Sequence, residues 1–389
     1  MRFRHRDGTI VHLAYCTNVH PAETLAGVLA QLDRYAVPVR EALGAGRLGL
    51  GLWLARGAAT ELLADPDAIT ALRRALEDRG LEVVTFNGFP YCGFHDPVVK
   101  YAVYQPDWTT SERLRYTLDL ARILAALLPD GAGYGSISTL PLAWRTPWDE
   151  QRQAAAAVQL DELARALREQ AERTGRLVRV AVEPEPGCVI ETVEQAAAQL
   201  PAGSSQWLGL CLDTCHLAVA FEEPATALDQ LQAAGLAVYK MQASCALEAA
   251  QPARPATARR LAGFAEPRFL HQVRTVTQDG RRGVDDLGDA LAGQLDSGCP
   301  WRVHAHVPVH APAQAPLLAT QAVLTSSLGA LLGGEHALTS HVEVETYTWQ
   351  VLPGRARPRS DADLTAGIAA ELAWTKDRML ELGLREVAA

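Results

Sequence analysis

Short apolar runs alternate with long stretches in which apolar residues recur every three or four positions, and this rhythm holds along most of the chain. A period of two marks strands and a period near 3.6 marks helices. The clearest helix is predicted at 149–174, where Leu160, Leu163 and Leu167 make one stripe and Gly175 supplies the stop. Further helical stretches are 22–43, 66–79, 110–127, 224–234, 317–332 and 363–383. Strands are predicted at 10–17, 47–54, 81–87, 133–138, 177–183, 207–213, 236–242 and 338–346. Eight strands in βα alternation point to an α/β fold, a (β/α)8 barrel rather than an open sheet, with residues 1–389 as one domain. The rhythm breaks between Gln242 and His304, a stretch rich in Pro, Arg and Ala that includes Glu266-Pro-Arg-Phe-Leu-His-Gln272. Residues 245–300 therefore read as an insertion or lid after the seventh strand.

Alternation within the strands says which side chains point into the barrel. Val178, Val180 and Val182 share one face and leave Arg179, Ala181 and Glu183 on the other. Leu208, Leu210 and Leu212 likewise leave Gly209, Cys211 and Asp213 inside, and Val342 and Val344 oppose His341, Glu343 and Glu345. In all three strands the inward face ends in a carboxylate at the C-terminal end, where barrel enzymes build their sites.

Four runs carry the candidate chemistry. In Val182-Glu183-Pro184-Glu185-Pro186-Gly187 the prolines and glycine fix a turn that leaves Glu183 at the strand end, with Glu185 beside it. In Cys211-Leu-Asp213-Thr-Cys215-His216 an Asp ending a strand and a His three residues on can converge on one ion or one substrate hydroxyl. The two cysteines lack a second pair at matching spacing, which speaks against a structural zinc site. In Val303-His304-Ala-His306-Val-Pro308-Val-His310, His304 and His306 point the same way in an extended segment, with His310 in the same parity beyond Pro308. In His341-Val-Glu343-Val-Glu345-Thr346, two inward glutamates repel unless a cation or a proton lies between them. Glu345 is nearer the mouth and is the better ligand, with Glu343 behind it. Lys is scarce, present at 100, 240 and 376, so Lys240 within an apolar strand calls for a glutamate partner or a substrate carbonyl. Gln242 shares its parity. Asn87 sits at a strand end, before an aromatic loop rich in Gly and Pro that reaches His95. His12 and Cys16, inward on the first strand, serve equally well as core filling.

Composition narrows the class. The chain is 48% hydrophobic and 21% charged, enough to bury a large core. Its formal charge of −9 disfavours a dedicated nucleic-acid binder. No apolar run of about 18 residues is present, so no membrane span is expected, and the N-terminus does not read as a signal peptide. Seven cysteines in so long a chain do not make a disulfide framework, and the expectation is a cytoplasmic protein. No Walker A motif or dinucleotide fingerprint occurs.

Glu183, Asp213 with His216 three residues on, and Glu345 followed by Thr346 lie on strand ends in a pattern that resembles the xylose isomerase-like TIM barrels. That superfamily includes sugar epimerases, hydroxypyruvate isomerase and endonuclease IV. The resemblance implies that Glu183 and Glu345 bind a divalent cation (Mn, Zn, Co or Mg) and act as an acid/base pair, with Asp213 as third ligand and His216 on substrate. It usually places a ligating His on the seventh strand, where this chain reads Tyr239-Lys240-Met241-Gln242. Either Gln242 donates its carbonyl oxygen, or the fourth ligand comes from elsewhere, His304 or His306. The expected activity is a metal-dependent isomerase or epimerase of a sugar, cyclitol or sugar phosphate, with His216, Lys240, His304, His306, Asn87 and Glu185 toward substrate. The partner is then a small polyol, and a homodimer is admissible. Two alternatives stand beside it: a barrel that binds a metabolite without turnover, and an endonuclease IV-like metal-dependent hydrolase that prefers small phosphoesters.

Overall fold

A computed structural model describes residues 1–200 and 206–387. Eight parallel strands close into a barrel: β1 (Ile10–Cys16), β2 (Leu48–Trp53), β3 (Leu81–Asn87), β4 (Gly135–Thr139), β5 (Val178–Val182), β6 (Leu208–Asp213), β7 (Val238–Ala243) and β8 (His341–Val344). Pairing of β8 with β1, His341 opposite His12, shuts the cylinder. The predicted strands match to within three residues at each end, because alternation of outward Val and Leu with inward small or polar residues leaves one register that buries the apolar set.

The helices that follow the strands bury their stripes against the outward faces. Glu150–Thr174 is capped by Asp149, whose side chain accepts from Arg152 N, and ends at Gly175 in the left-handed conformation with φ of 68°. Leu160, Leu163 and Leu167 are buried, as the stripe predicts, together with Ala156 and Gln170. Two short helices, Arg56–Ala64 and Val193–Gln199, escape the sequence reading because seven to nine residues with few large apolar side chains show little periodicity. No helix among the described residues is long and apolar enough to cross a membrane.

The segment after β7 departs most from expectation. The stretch without a clear period folds into a five-stranded antiparallel sheet of Leu247–Ala249, Val273–Thr277, Gly280–Val284, Trp301–Val303 and Leu318–Ala319. A helix at Pro255–Ala262 accompanies it. The excursion thus runs past residue 300, to the helix Gln321–Leu332 that precedes β8. Strands of two to five residues are too short to announce themselves by alternation. The sheet sits at the C-terminal mouth: Val99 N and Lys100 N both donate to Arg268 O, at 2.8 and 2.9 Å, which ties the β3 loop to it.

Inside the barrel the lower layer is filled. Arg179 lies between the rings of Tyr134 and Tyr239, at 4.5 and 4.6 Å from their centroids. A register shift between Leu210 and Cys211 opposite β7 marks a bulge there, and both Tyr239 and Lys240 reach the interior. Lys240 Nζ lies 3.1 Å from Glu343 Oε1, both side chains fully buried, and donates to Phe86 O at 3.1 Å and Ser138 Oγ at 3.3 Å. Burial alone would lower the Lys240 pKa, but Glu343 raises it and keeps the ammonium charged. Gly51 on β2 makes room for the acid, since a Cβ there would stand 1.5 Å from Glu343 Oε2.

Candidate metal and acid/base site

Above that layer the strand ends of β5, β6 and β8 bring Glu183, Asp213 and Glu345 together, all buried. One carboxylate oxygen from each lies within 4.8 Å of the others. Two of the three acids have one oxygen spent and one left over. Asp213 Oδ1 accepts from His216 N at 3.0 Å and Ser244 Oγ at 2.7 Å, while Oδ2 is buried without a hydrogen-bond partner. Glu345 Oε1 accepts from Asn18 Nδ2 at 2.7 Å and Asn87 Nδ2 at 2.8 Å. Glu183 Oε2 is buried and unpartnered, as is His306 Nε2.

Burial pushes the Glu183 and Glu345 carboxyls well above the ordinary carboxylate range, and repulsion among the three acids adds to it. Burial also raises Asp213, but His216, His306 and the two donors on Oδ1 outweigh it and hold that acid below its ordinary value. Three buried carboxylates without a counter-charge are costly, and a divalent cation removes that cost.

His306 comes from the excursion, just beyond the strand Trp301–Val303. Its Nδ1 faces Glu345 O at 2.8 Å and must carry the proton, because a carbonyl only accepts. The lone pair on Nε2 is thereby aimed inward, 3.8 Å from Asp213 Oδ2. Two ligands of one ion at about 2.0–2.2 Å each can span such a gap. The donor set of carboxylate oxygens and one imidazole fits a hard or borderline divalent ion.

A second arrangement lies beside it. His216 Nδ1 meets Pro184 O at 2.9 Å, so it too carries its proton there and presents a lone pair on Nε2. Gln272 Nε2 donates to Pro186 O and to Tyr104 Oη, at 2.9 and 3.0 Å, which turns Gln272 Oε1 toward His304 Nδ1 at 2.7 Å. His304 Nδ1 is then a donor as well, and its Nε2 faces His216 Nε2 at 3.1 Å, lone pair to lone pair. Burial, with the neighbouring imidazoles, lowers His304 well below its ordinary value, and burial lowers His216 to about 4. The Tyr347 hydroxyl also lies 3.4 Å from His304 Nε2, and a cation between the two rings would satisfy both lone pairs. Tyr104 also donates to Glu185 Oε1 at 2.6 Å, and burial, only partly offset by that bond, lifts Glu185 to about 8.

Of the residues singled out from sequence, Asn87, Glu183, Glu185, His216, His304, His306 and Glu345 line one pocket, with Asp213 beneath. Lys240 does not: the expectation that it meets substrate is corrected by its burial and its partner Glu343. Gln242 is fully buried, with neither amide atom hydrogen-bonded among the described residues. His310 lies apart, its ring 6.4 Å from Trp349. Asn18, Tyr104, Ser244, Gln272 and Tyr347 escape sequence reasoning as site residues. Asn18 and Tyr347, each two residues past the end of a strand or its carboxylate, carried the one available signal.

A family model described as the xylose isomerase-like TIM barrel matches residues 46–255. No curated protein matches the chain. Among solved structures it is similar to a xylose isomerase-like TIM barrel protein from Mycobacterium smegmatis in complex with magnesium, at 12% identity, with 95% of this chain and 98% of that one covered and a TM-score of 0.53. It is similar to an L-ribulose 3-epimerase at 12% identity, 96% of each chain covered, TM-score 0.51. It is similar also to the IolI protein with a bound zinc atom at 14% identity, 95% and 98% covered, TM-score 0.50. These likenesses show the fold.

Proposed function

The chain belongs to the xylose isomerase-like TIM barrel family, and from that premise we propose that it is a metal-dependent isomerase or epimerase of a polyol substrate, a sugar, cyclitol or sugar phosphate. The observation that carries this reading is the convergence of the Glu183, Asp213 and Glu345 carboxylates, in which Glu183 Oε2 and Asp213 Oδ2 are buried and unpartnered. Within the family, the runs His12–His20, Asn87-Gly-Phe-Pro and Glu183-Pro-Glu-Pro-Gly resemble the metabolite traffic protein EboE.

Glu183, Asp213 and Glu345 would hold the cation, with His306 as the fourth ligand in place of the family's seventh-strand His. Gln242 remains the alternative oxygen donor, from lower on β7. A divalent cation bound there supplies Lewis-acid stabilisation of charge on a substrate oxygen. Glu183 on β5 and Glu345 on β8 come from well-separated strands, so one takes a proton beside a carbonyl and the other returns it. Their raised affinity for protons suits that exchange, because a carboxyl that holds a proton more firmly than usual can deliver one as an acid as well as take one up. Asn18 and Asn87 orient Glu345 through Oε1. His216 and Glu185 lie where substrate hydroxyls would be bound.

Elemental analysis of the purified protein tests this. The expected result is one divalent ion per chain, lost in Asp213→Ala, with a screen of ketoses giving turnover that Glu345→Gln lowers by roughly 10²–10⁴-fold without unfolding. Protein that is metal-free and takes up no added Mn²⁺, Co²⁺ or Zn²⁺ would sink the proposal and favour metabolite binding without turnover. One observation favours a second reading, a metal-dependent hydrolase. The facing lone pairs of His216 and His304, 3.1 Å apart, have the spacing of two ligands on a further ion. Two ions per chain would select it.

A further inference from the structure

The pocket that ends on these acids offers about 510 Å³, its open mouth included, and its two halves differ in chemistry. The floor is polar and negative. One wall is aromatic, built by Phe94 from the β3 loop, Phe269 from the inserted segment and Tyr347 from the loop after β8, whose hydroxyl lies 3.4 Å from His304 Nε2. Their rings meet at 4.9 to 5.3 Å between centroids, and Val99, Val103 and Leu270 line the same pocket. This aromatic cluster is distinct from the main core of the barrel. A bare polyol reaching along it would leave hydroxyls against carbon with no partner, which costs free energy for each one.

Charge argues the same way. No arginine lines the pocket among the described residues. Its one lysine, Lys100, is paired with Asp286, and Lys240 below is neutralised by Glu343. Three carboxylates, Glu183, Asp213 and Glu345, outnumber the charge of one divalent ion. A phosphoester would bring two further negative charges into that field without a cationic partner.

Resting on the reading of the floor as a polyol site, we propose that the substrate is an uncharged polyol or ketose head bearing an apolar or aromatic substituent, with the head on the acids and the substituent against Phe94, Phe269 and Tyr347. A free sugar has partners only at the polar floor, and a sugar phosphate has no cationic partner at either part of the pocket.

The test is calorimetric binding to Mn²⁺-loaded protein of three ligands with one head: D-fructose, D-fructose 6-phosphate and 6-O-benzyl-D-fructose. The benzyl ether is expected to bind at least about tenfold more tightly than fructose, from burial of the ring, and the phosphate more weakly than fructose. Phe269→Ser should remove the benzyl advantage over fructose while leaving metal content unchanged, and Phe94→Ser serves if that variant fails to fold. Tightest binding by the phosphate, equal binding of ether and free ketose, or binding of none of the three overturns the inference. Metal content separates the failures: a chain that holds its ion but prefers the phosphate keeps the proposed function and loses this substrate class, whereas a chain that takes up no ion loses both.

Discussion

The barrel interior holds two layers of buried charge, and they are treated differently. In the lower layer Glu343 faces Lys240 at 3.1 Å, an ion pair without an aligned hydrogen bond, and Gly51 opens space for it. In the upper layer Glu183, Asp213 and Glu345 face one another. Both layers are buried, so burial does not separate structure from site. The counter-charge does: supplied by the chain below, and left to a ligand above.

Breaking the lower pair is the severest test of that distinction. Lys240→Met leaves Glu343 buried without its counter-charge, and should cost about 3–5 kcal/mol of folding stability. Adding Glu343→Met should restore most of the loss, because two apolar side chains of similar length replace the pair without stranding a charge. Denaturant unfolding of the two variants checks this, and a double variant as unstable as the single would mean that Lys240 matters for something besides Glu343.

The upper layer should respond to an ion rather than to a mutation. A divalent cation at about 100 times its dissociation constant should stabilise the native chain by about 2.7 kcal/mol, read as a rise in Tm. Asp213→Asn should abolish the rise. The same additions should leave the effect of Lys240→Met unchanged, since the lower pair already has its counter-charge.

A smaller perturbation reaches the lower layer from the side. Gly51→Ala places a Cβ where the Glu343 carboxylate lies, and displacing that acid from Lys240 should cost about 1–3 kcal/mol. In the Lys240→Met/Glu343→Met background the cost should fall, because an uncharged side chain can shift without losing a partner. Equal costs in both backgrounds would assign the penalty to backbone packing alone.

The two layers were unequally legible in the sequence. Strand parity placed Glu183, Asp213 and Glu345 at the mouth, because each ends a run whose other face is Val or Leu. Parity also put Lys240 inward, but the bulge beside Tyr239 and the gap over Gly51 are properties of paired strands. No single strand announces that Lys240 is spent on Glu343 beneath the pocket. His304 and His306 were legible as a pair facing one way, although the sheet that delivers them was not. Its strands are as short as Leu318–Ala319, and apart from the hairpin of Val273–Thr277 with Gly280–Val284 their partners lie tens of residues apart along the chain. Asn18, Tyr104 and Tyr347 stand on loops and 3-10 turns, where no period indicates direction.

Glu371 supplies a third case between the two layers, and the smallest expected effect. It is buried on the helix Asp361–Glu381 behind β8, with no cationic partner and no neighbouring acid to share an ion among the described residues. Hydrogen bonds take the place of charge: Oε1 accepts from Val309 N at 3.1 Å and Thr346 Oγ1 at 2.6 Å, and Oε2 from Trp349 Nε1 at 3.0 Å. Burial outweighs those donors and raises its pKa to about 7 from an ordinary 4.5. An acid so raised binds its proton more tightly folded than unfolded. Its contribution is therefore fully present below the unfolded value and is lost as pH rises through about 7. One proton limits the slope to about 1.4 kcal/mol per pH unit between those values, and the three donors should hold the measured change below that ceiling. Glu371→Gln should flatten this part of the profile, so that the Tm difference between wild type and variant changes from pH 5 to pH 8 in the variant's favour. A constant difference across that range would mean that the donors alone satisfy the carboxylate, and that hydrogen bonds can replace a counter-charge in this interior.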